Sequence, residues 1–396
     1  AIETLGTGYL THPANQALRE RLASGGITPA DYQRASLRII YRLLFWMVAE
    51  DRGVLLTPDA TRDTVTRYDT YFSSRRLRNL ARRRLGTAHH DLAAQVDLVF
   101  TGLGQQGGLP QLGLPGLGGI YETSEVDTMT GAALSNRALL EVIRLLSTTR
   151  DPASGVQRAV DFRHLGSEEL GGIYEGLLEL HPLIDPGERT YTLTAGAGNE
   201  RKTTGSYYTP TSLIDLVLDT ALDPLLDRAS TAETPAQQEE ALLALRVCDP
   251  ACGSGHFLVA AARRIANRVA RLRSGETEPT EAQAHAALHD VVSQCIYGVD
   301  LNPMAIELAK VSLWLEAIQP GRPLGFLDAH LRVGNSLLGA TPALIAAGIP
   351  DTAYTPITAD DKTTATAWKK TNKSERDRLA AGQEELFSLH DTFTTN

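Results

Sequence analysis

The sequence predicts an α/β protein, with a helical N-terminal domain followed by a doubly wound parallel sheet. Three observations predict it. Through the first hundred residues, apolar side chains recur at helical spacing. From Tyr207 onward, strand-like and helix-like stretches alternate, the pattern that builds a parallel sheet with its ligand at the carboxyl ends of the strands. Between these textures, residues 101–121 carry too many glycines and prolines for either element.

Taken in order, Leu37, Ile40, Tyr41, Leu44, Phe45 and Val48 predict a helix within residues 30–56, with Gly53 as its stop. Residues 72–100 continue helical and contain the basic run SRRLRNLARRRL, which reads as a solvated face, with a phosphate contact as the sharper alternative. Residues 101–135 form a Gly-rich connector. Helices resume at Asn136 and at Glu168, so residues 136–205 read as a helical linker region that Pro182, Pro186 and Gly187 bring to an end. Thr190–Leu193 alternate like a strand, and residues 195–206 read as a loop. A helix over 210–228, a strand ending in RVCD, a glycine turn and the helix HFLVAAARRIANRVARLR follow. After a polar helical insertion come the strand CIYGVD, the helix PMAIELAKVSLWLEA and a shorter strand in LRVGNSLL, so the α/β core spans 206–345. Residues 346–396, rich in Thr, Lys and Asp, read as a partly disordered connector or insertion.

Composition excludes several classes. Apolar residues make up 42% and charged residues 21%, ordinary values for a globular protein. No stretch reaches the roughly 20 apolar residues that span a bilayer, and the start AIETLGTGYLTHPANQ has no signal-peptide pattern. Cys248, Cys252 and Cys295 are too few and too irregular for a disulfide framework or a zinc site, and read as buried reduced thiols of a cytoplasmic protein. The net charge of −9 argues against a self-sufficient DNA-binding unit, which would show a basic excess. It is compatible with a module that works beside a more basic one. A start at Ala1 and an end at Asn396 suit a piece of something longer.

The chemistry concentrates in DPACGSGHFL, residues 249–258. Asp249 stands at a strand tip, and Gly253 and Gly255 open a helix, letting a ligand approach the backbone and the free N–H groups closely. A nicotinamide dinucleotide would need a third small residue where Leu258 stands. A methionine-based sulfonium ligand has no pyrophosphate to cradle, and its ammonium suits a carboxylate such as Asp249. Asp300, at the tip of the next strand, is placed to accept two ribose hydroxyls, although alone it would read as a helix cap. In TGSYYTPTSL, Thr209 predicts a cap and Pro210 a first-turn residue.

TGSYYTP, DPACGSGHFL, GVDLNPMAIELAK and LRVGNSLLG, in that order, resemble the motifs of amino-methylating DNA methyltransferases. They are most similar to the large adenine-N6 methylases of type IIG restriction–modification enzymes and of BREX- or DISARM-like phage-defence systems. LLFWMVAEDRGVL and ELGGIYEGLLEL resemble the helical region that precedes the core in those families, so the likeness covers most of residues 35–340. The resemblance implies a Rossmann-like methyltransferase core, incomplete at the C-terminus, that binds S-adenosylmethionine. It implies that Thr209 and Pro210 line the methionine end, that Asp249, Ala251, Gly253 and Gly255 form the cofactor turn, and that Asp300 holds the ribose. Asn335 stands where relatives often carry an acid near the adenine ring. Double-stranded DNA is the implied substrate.

Such enzymes transfer the methyl group with an N/D-P-P-Y/F loop, whose polar groups accept from the exocyclic amine while its aromatic ring stacks on the flipped base. Asn302-Pro303 is followed by Met304, and no Pro-Pro pair occurs. In the family order the loop would follow Asn335, so no catalytic residue is assigned, and the chain by itself is expected to be inactive. Further domains or subunits would supply that loop and target recognition. No Pro-Cys dipeptide is present for cytosine-carbon methylation. Asp185 with Glu200 and Lys202 is a weak nuclease-type metal set, and a basic lead-in to the cofactor site accounts for those residues more simply. Two rivals stand beside this reading: a methyltransferase acting on protein or small molecules, and a non-catalytic cofactor-binding or assembly subunit of a defence complex.

Overall fold

The computed structural model describes residues 1–123, 127–151, 155–166, 180–195, 209–319, 327–339, 348–356 and 361–380, with positions 172 and 343 between them. It is a mixed α/β structure in two compact units, Ala1–Gly334 and Asn335–Asn396.

The first unit opens with helices α1 (Ile2–Thr11), α2 (Gln16–Ala23), α3 (Pro29–Asp51), α4 (Arg62–Arg67), α5 (Ser74–Arg83), α6 (Asp91–Gly104) and α7 (Asn136–Ser147). The long α3 starts where the sequence signals a start. Thr28 and Asp31 form a reciprocal capping box and Pro29 takes the first position. Its residues from Ile40 to Glu50 are buried without interruption. A helix apolar on all sides must be enclosed, and here the enclosing wall includes the Gly-rich connector. Leu112, Leu114, Leu117, Ile120 and Tyr121 are buried in the core. Arg42 Nε donates to the Ile120 carbonyl at 2.6 Å, and its guanidinium pairs with Asp127 at 2.9 Å. The glycines there serve packing: a Cβ on Gly104, still inside α6, would lie 2.3 Å from the Tyr121 carbonyl oxygen.

Two short antiparallel hairpins follow, β1 (Thr148–Arg150) with β2 (Gln157–Ala159) and β3 (Leu180–Asp185) with β4 (Thr190–Ala195). The strand expected at 190–193 therefore exists, and Pro182, expected to end a helical region, lies inside β3. Tyr191 lies against Gly6 of α1, where a Cβ would be 2.4 Å from the ring. The expected helix from Glu168 lies outside the described residues.

The α/β part contains α8 (Thr211–Ala221), α9 (Asp223–Ala229), α10 (Pro235–Leu243), β5 (Val247–Asp249), α11 (His256–Ser274), α12 (Glu281–Cys295), β6 (Ile296–Asp300), α13 (Pro303–Ala317), α14 (Leu327–His330) and β7 (Leu331–Val333). The helix expected over 210–228 is two helices. Pro224 has no N–H to give to residue 220, so the ladder breaks at Leu222. The polar insertion forms α12, started by a Thr280–Gln283 capping box. Strands β5, β6 and β7 form a parallel sheet in that order, with Asp249 opposite Gly298 and Asp300 opposite Val333. Helices α11, α12 and α13 pack on one another and on the sheet. Leu258, Ile265, Val291, Ile296, Leu313 and Leu331 supply its apolar core. Helix α13 is buried around most of its surface because α3 covers its other side. The rings of Phe45 and Trp314 meet there with centroids 3.5 Å apart, and Arg52 donates to the Leu315 carbonyl at 2.7 Å.

In the second unit, residues 346–396 were expected to be partly disordered, yet helix α15 (Lys362–Ala380) forms within them. Asp361 accepts from the Thr363 and Thr364 N–H groups at its start, and Arg376 pairs with Asp351 at 3.2 Å.

Candidate cofactor site

The site is built at the carboxyl ends of two adjacent parallel strands. Their register places Asp249 at the tip of β5 and Asp300 at the tip of β6. After β5 the chain turns through residues 250–255, with Gly253 at φ 53° and Gly255 at φ 87°, both in the left-handed region that side chains other than glycine rarely adopt. Gly255 is the residue before α11, and a Cβ there would come within 3.2 Å of both Cα and Cβ of Ala309 on α13. Gly253 differs, because a Cβ there would meet nothing within 4 Å. One glycine thus closes the turn onto the protein, and the other leaves it open on the outside.

Asp300 ties the two tips together. One carboxylate oxygen accepts the Gly253 N–H at 2.9 Å and the other accepts the Asn302 N–H at 2.8 Å. Its carbonyl accepts from Gly334 N–H at 2.9 Å, and Cys252 N–H donates to the Val299 carbonyl at 2.9 Å. Asp249 bonds within its own turn, accepting the Ala251 N–H at 3.0 Å through Oδ1, while Oδ2 has no partner among the described residues. Burial raises the Asp249 carboxyl above its ordinary range against the lowering effect of the Ala251 N–H, and the nearby Asp300 raises it further. Asn302 caps α13 through the Met304 N–H at 2.9 Å.

Of the residues expected from the sequence, Asp249, Ala251, Gly253, Gly255 and Asp300 come together. Thr209 and Pro210 immediately precede α8, one residue earlier than expected: Pro210 is itself the cap position, and no side chain caps the helix. A cavity of about 190 Å³ separates the starts of α8 and α11, lined by Thr211, Ile214, His256, Val259 and Ala260, with Asp215, Arg263 and Arg264 at its rim. Residues 204–208 of the TGSYYTP motif, and Glu200 with Lys202 of the nuclease-type set, lie outside the described residues. Asp185 accepts from the Gly187 and Glu188 N–H groups, both at 2.9 Å, as a hairpin turn residue. Among the described residues no group of three or more His, Cys, Asp or Glu could hold a metal ion. Asn335 is the first residue of the second unit, and its side chain accepts the Leu337 N–H at 2.9 Å.

All three cysteines are free, but Cys248 is exposed, contrary to the expectation of three buried thiols. Its side chain points away from the core because a three-residue strand alternates faces. Burial pushes the Cys252 thiol up to about 12, with Asp249 and Asp300 adding to the effect, so it is neutral at physiological pH. Two architectural residues were missed. Gly298 in β6 admits Leu258, Leu331 and Cys252, each within 3.0 Å of a would-be Cβ. Ala309 receives the glycine turn. A glycine inside a strand was the available signal for the first.

The two acidic strand tips, the positive-φ glycine turn and the helix starting behind it thus meet at the carboxyl ends of adjacent parallel strands. Residues 189–375 match the N-6 DNA Methylase family. A protein of Methanocaldococcus jannaschii named as a type II restriction enzyme and methyltransferase is 24% identical over 264 residues, which cover 56% of this chain and 21% of that protein. The adenine-specific methyltransferase PglX of Streptomyces coelicolor is 32% identical over 148 residues, 35% of this chain and 10% of the relative. The matched stretch thus spans about a fifth or less of these relatives. The solved structure of the Type IIL restriction-modification enzyme MmeI in complex with DNA overlays 85% of this chain and 40% of its own, at 17% identity and TM-score 0.46. Among the described residues no helix is long and apolar enough to cross a membrane.

Proposed function

We propose that this chain is the helical and cofactor-binding part of an S-adenosylmethionine-dependent DNA adenine-N6 methyltransferase of a cytoplasmic restriction–modification or phage-defence system. The family match and the names of the relatives support the methylase class and its defence setting. The observation that carries the cofactor assignment is the Gly253–Asp300 hydrogen bond beside an open glycine face and an Asp249 oxygen without a partner among the described residues. In this reading the three parallel strands are one half of a Rossmann-like sheet, and the ligand lies over their carboxyl ends.

The donor set fits the ligand. Each Asp300 oxygen accepts one backbone N–H and keeps a lone pair, so the carboxylate can accept the two vicinal hydroxyls of a ribose. Asp249 Oδ2 can accept from the ligand's ammonium or from a water beside it. Ionising Asp249 becomes easier once a cation sits beside it, which offsets the cost of its burial. The open side of Gly253 lets the ligand reach the backbone. Thr209 and Pro210 would close the methionine end. S-adenosylmethionine supplies an electrophilic methyl group on a sulfonium, ready for direct transfer to an amine. The chain's own residues hold and orient it, while a segment bearing the N/D-P-P-Y/F loop and a target-recognition domain would present the flipped adenine of double-stranded DNA.

Calorimetric titration of this chain with S-adenosylmethionine, beside NADH and beside an Asp249→Ala variant, tests the assignment. Saturable binding of the sulfonium alone, weakened in the variant, is expected. Equal binding of NADH, or indifference to Asp249, would overturn it.

A further inference from the structure

Two helices of this chain are rich in arginine, and their surroundings differ. On α11 four of the five arginines are neutralised within the protein, Arg271 being the exception. Arg263 pairs with Glu316 at 2.8 Å, Arg264 with Asp215, Asp219 and Asp223, Arg268 with Asp227 at 2.6 Å, and Arg273 with Glu239 and Asp290. On α5 only the inward-facing Arg78 is treated this way, gripping Asp51 through both terminal nitrogens. Arg75, Arg82, Arg83 and the following Arg84 are exposed, and none has a carboxylate partner among the described residues.

This concentration is local. Residues 62–90 hold eight arginines against two aspartates, a balance of +6 in a chain whose total is −9. Helix α5 buries Ser74, Leu77, Arg78 and Ala81, which turns Arg75, Asn79, Arg82 and Arg83 outward at i, i+4, i+7 and i+8. Arg75, Arg76, Asn79 and Arg83 line one wall of a cleft of about 280 Å³, and Asp69 and Thr70 line the other. The cleft offers several guanidinium and amide donors against a single carboxylate. Its N-terminal end is held rigid from below. Buried Glu50 accepts the Ser74 and Arg75 N–H groups at 2.7 and 2.8 Å and the Tyr68 hydroxyl at 2.7 Å.

We propose that this face of α5 binds the phosphodiester backbone of duplex DNA. The proposal rests on the reading of the chain as part of a DNA-modifying enzyme and adds a surface outside the cofactor site. Arg75 and Arg83 are about 12 Å apart along the helix at 1.5 Å per residue, the axial length of three to four phosphates at about 3.4 Å each on one strand. Planar guanidinium groups pair with phosphate oxygens two at a time. Among the described residues no aromatic ring lines the cleft to stack an unpaired base, which favours duplex over single strand. The apolar face of α5 is buried in the protein, so the helix has none to offer a lipid surface. Contacts of this kind position DNA and carry no sequence preference.

The test is the salt dependence of binding of a labelled duplex of arbitrary sequence to the full chain, followed by fluorescence anisotropy. A triple variant, Arg75→Gln with Arg82→Gln and Arg83→Gln, should lower the slope of log K against log salt by about 2 to 3, roughly 0.9 for each phosphate no longer neutralised. Replacing the same three residues by lysine should retain most of the slope, which separates loss of charge from loss of fold. An unchanged slope in the glutamine variant, no duplex binding by the parent chain, or binding to phosphatidylserine vesicles in preference to DNA would overturn the proposal. Calorimetry with S-adenosylmethionine on the same samples separates the two readings. Cofactor binding without DNA binding sinks this surface alone, and arginine-dependent DNA binding without cofactor sinks the cofactor assignment alone.

Discussion

Gly253 and Gly255 stand two residues apart in one turn, and alanine at each should fail in a different way. At Gly255 the methyl group meets two penalties. A left-handed φ of 87° costs roughly 1–2 kcal/mol for a residue with a Cβ. A contact of 3.2 Å to Ala309 Cα, which is backbone and cannot rotate away, adds an overpacking cost of about 1–3 kcal/mol. Gly255→Ala should therefore lose about 2–5 kcal/mol of stability. At Gly253 the φ of 53° imposes the same kind of backbone cost, but the methyl projects into open space. Gly253→Ala should lose only about 1–2 kcal/mol, and it keeps the N–H that binds Asp300. Its methyl, however, occupies the face over which the ligand is proposed to lie. Chemical denaturation should rank the variants with Gly255→Ala the less stable. Calorimetry under native conditions should show Gly253→Ala folded and impaired at least tenfold, about 1.4 kcal/mol, in S-adenosylmethionine affinity. Equal destabilisation by the two changes would refute the packing argument, and unimpaired binding by Gly253→Ala would refute the placement of the ligand.

Three further outcomes are expected. Asp300→Asn removes one of two acceptors and turns an amide donor toward a backbone N–H, so cofactor affinity should fall on the order of 10- to 100-fold by calorimetry. Asp249→Asn keeps an acceptor for the Ala251 N–H and should weaken cofactor binding while making the cofactor-free protein more stable at neutral pH. The sign follows from a folded-state pKa raised above the unfolded value. Protonation of Asp249 stabilises the fold at low pH, and that contribution is lost as pH rises through the raised value, so thermal melts of variant and parent should converge on acidification. Tyr68→Phe leaves the Trp46 indole N–H without its acceptor at 2.7 Å and Glu50 with one donor fewer, all in the buried interior, and should cost about 1–3 kcal/mol in denaturant unfolding.

The elements that could be read from the sequence were those whose signals are local. The α3 start declares itself through Thr28, Pro29 and Asp31, and the β5 tip through Asp249 with two glycines. The pairing of Asp249 with Asp300 across the sheet was also legible, because a parallel sheet puts successive strand tips at one end. What failed to show was set by distant partners. Glycine at 104 reads as a loop former, yet it stands in α6 because the Tyr121 carbonyl approaches it from well along the chain. The hydrogen bond from Gly253 to Asp300 has no trace in either motif alone, since the register of β5 against β6 decides it. The polar stretch holding α15 gave no apolar periodicity to betray a helix, although Asp361 was available as its cap.

The helical N-terminal region and the α/β part, separable in sequence texture, fall in one compact unit, and the reason bears on the site. Helix α13 is the shared element. On one side it receives Gly255 against Ala309, and on the other it receives Phe45 against Trp314. Charge follows the same seam, with Arg38 on α3 facing Glu307 at 3.5 Å and Arg52 bonding the carbonyls of Leu315, Arg163 and Leu165. A helix buried on both faces has no freedom to shift without disturbing two cores packed at the density of a crystal. The glycine turn is therefore braced from behind by α3 through α13, as the proposed ligand site requires. It follows that Trp314→Ala, remote from the acidic strand tips, should weaken cofactor binding as well as stability. Trp314→Phe should restore much of both, since it refills the space against Phe45. Loss of stability with cofactor affinity intact in the folded Trp314→Ala protein would show that the turn holds its shape without the helical region behind it.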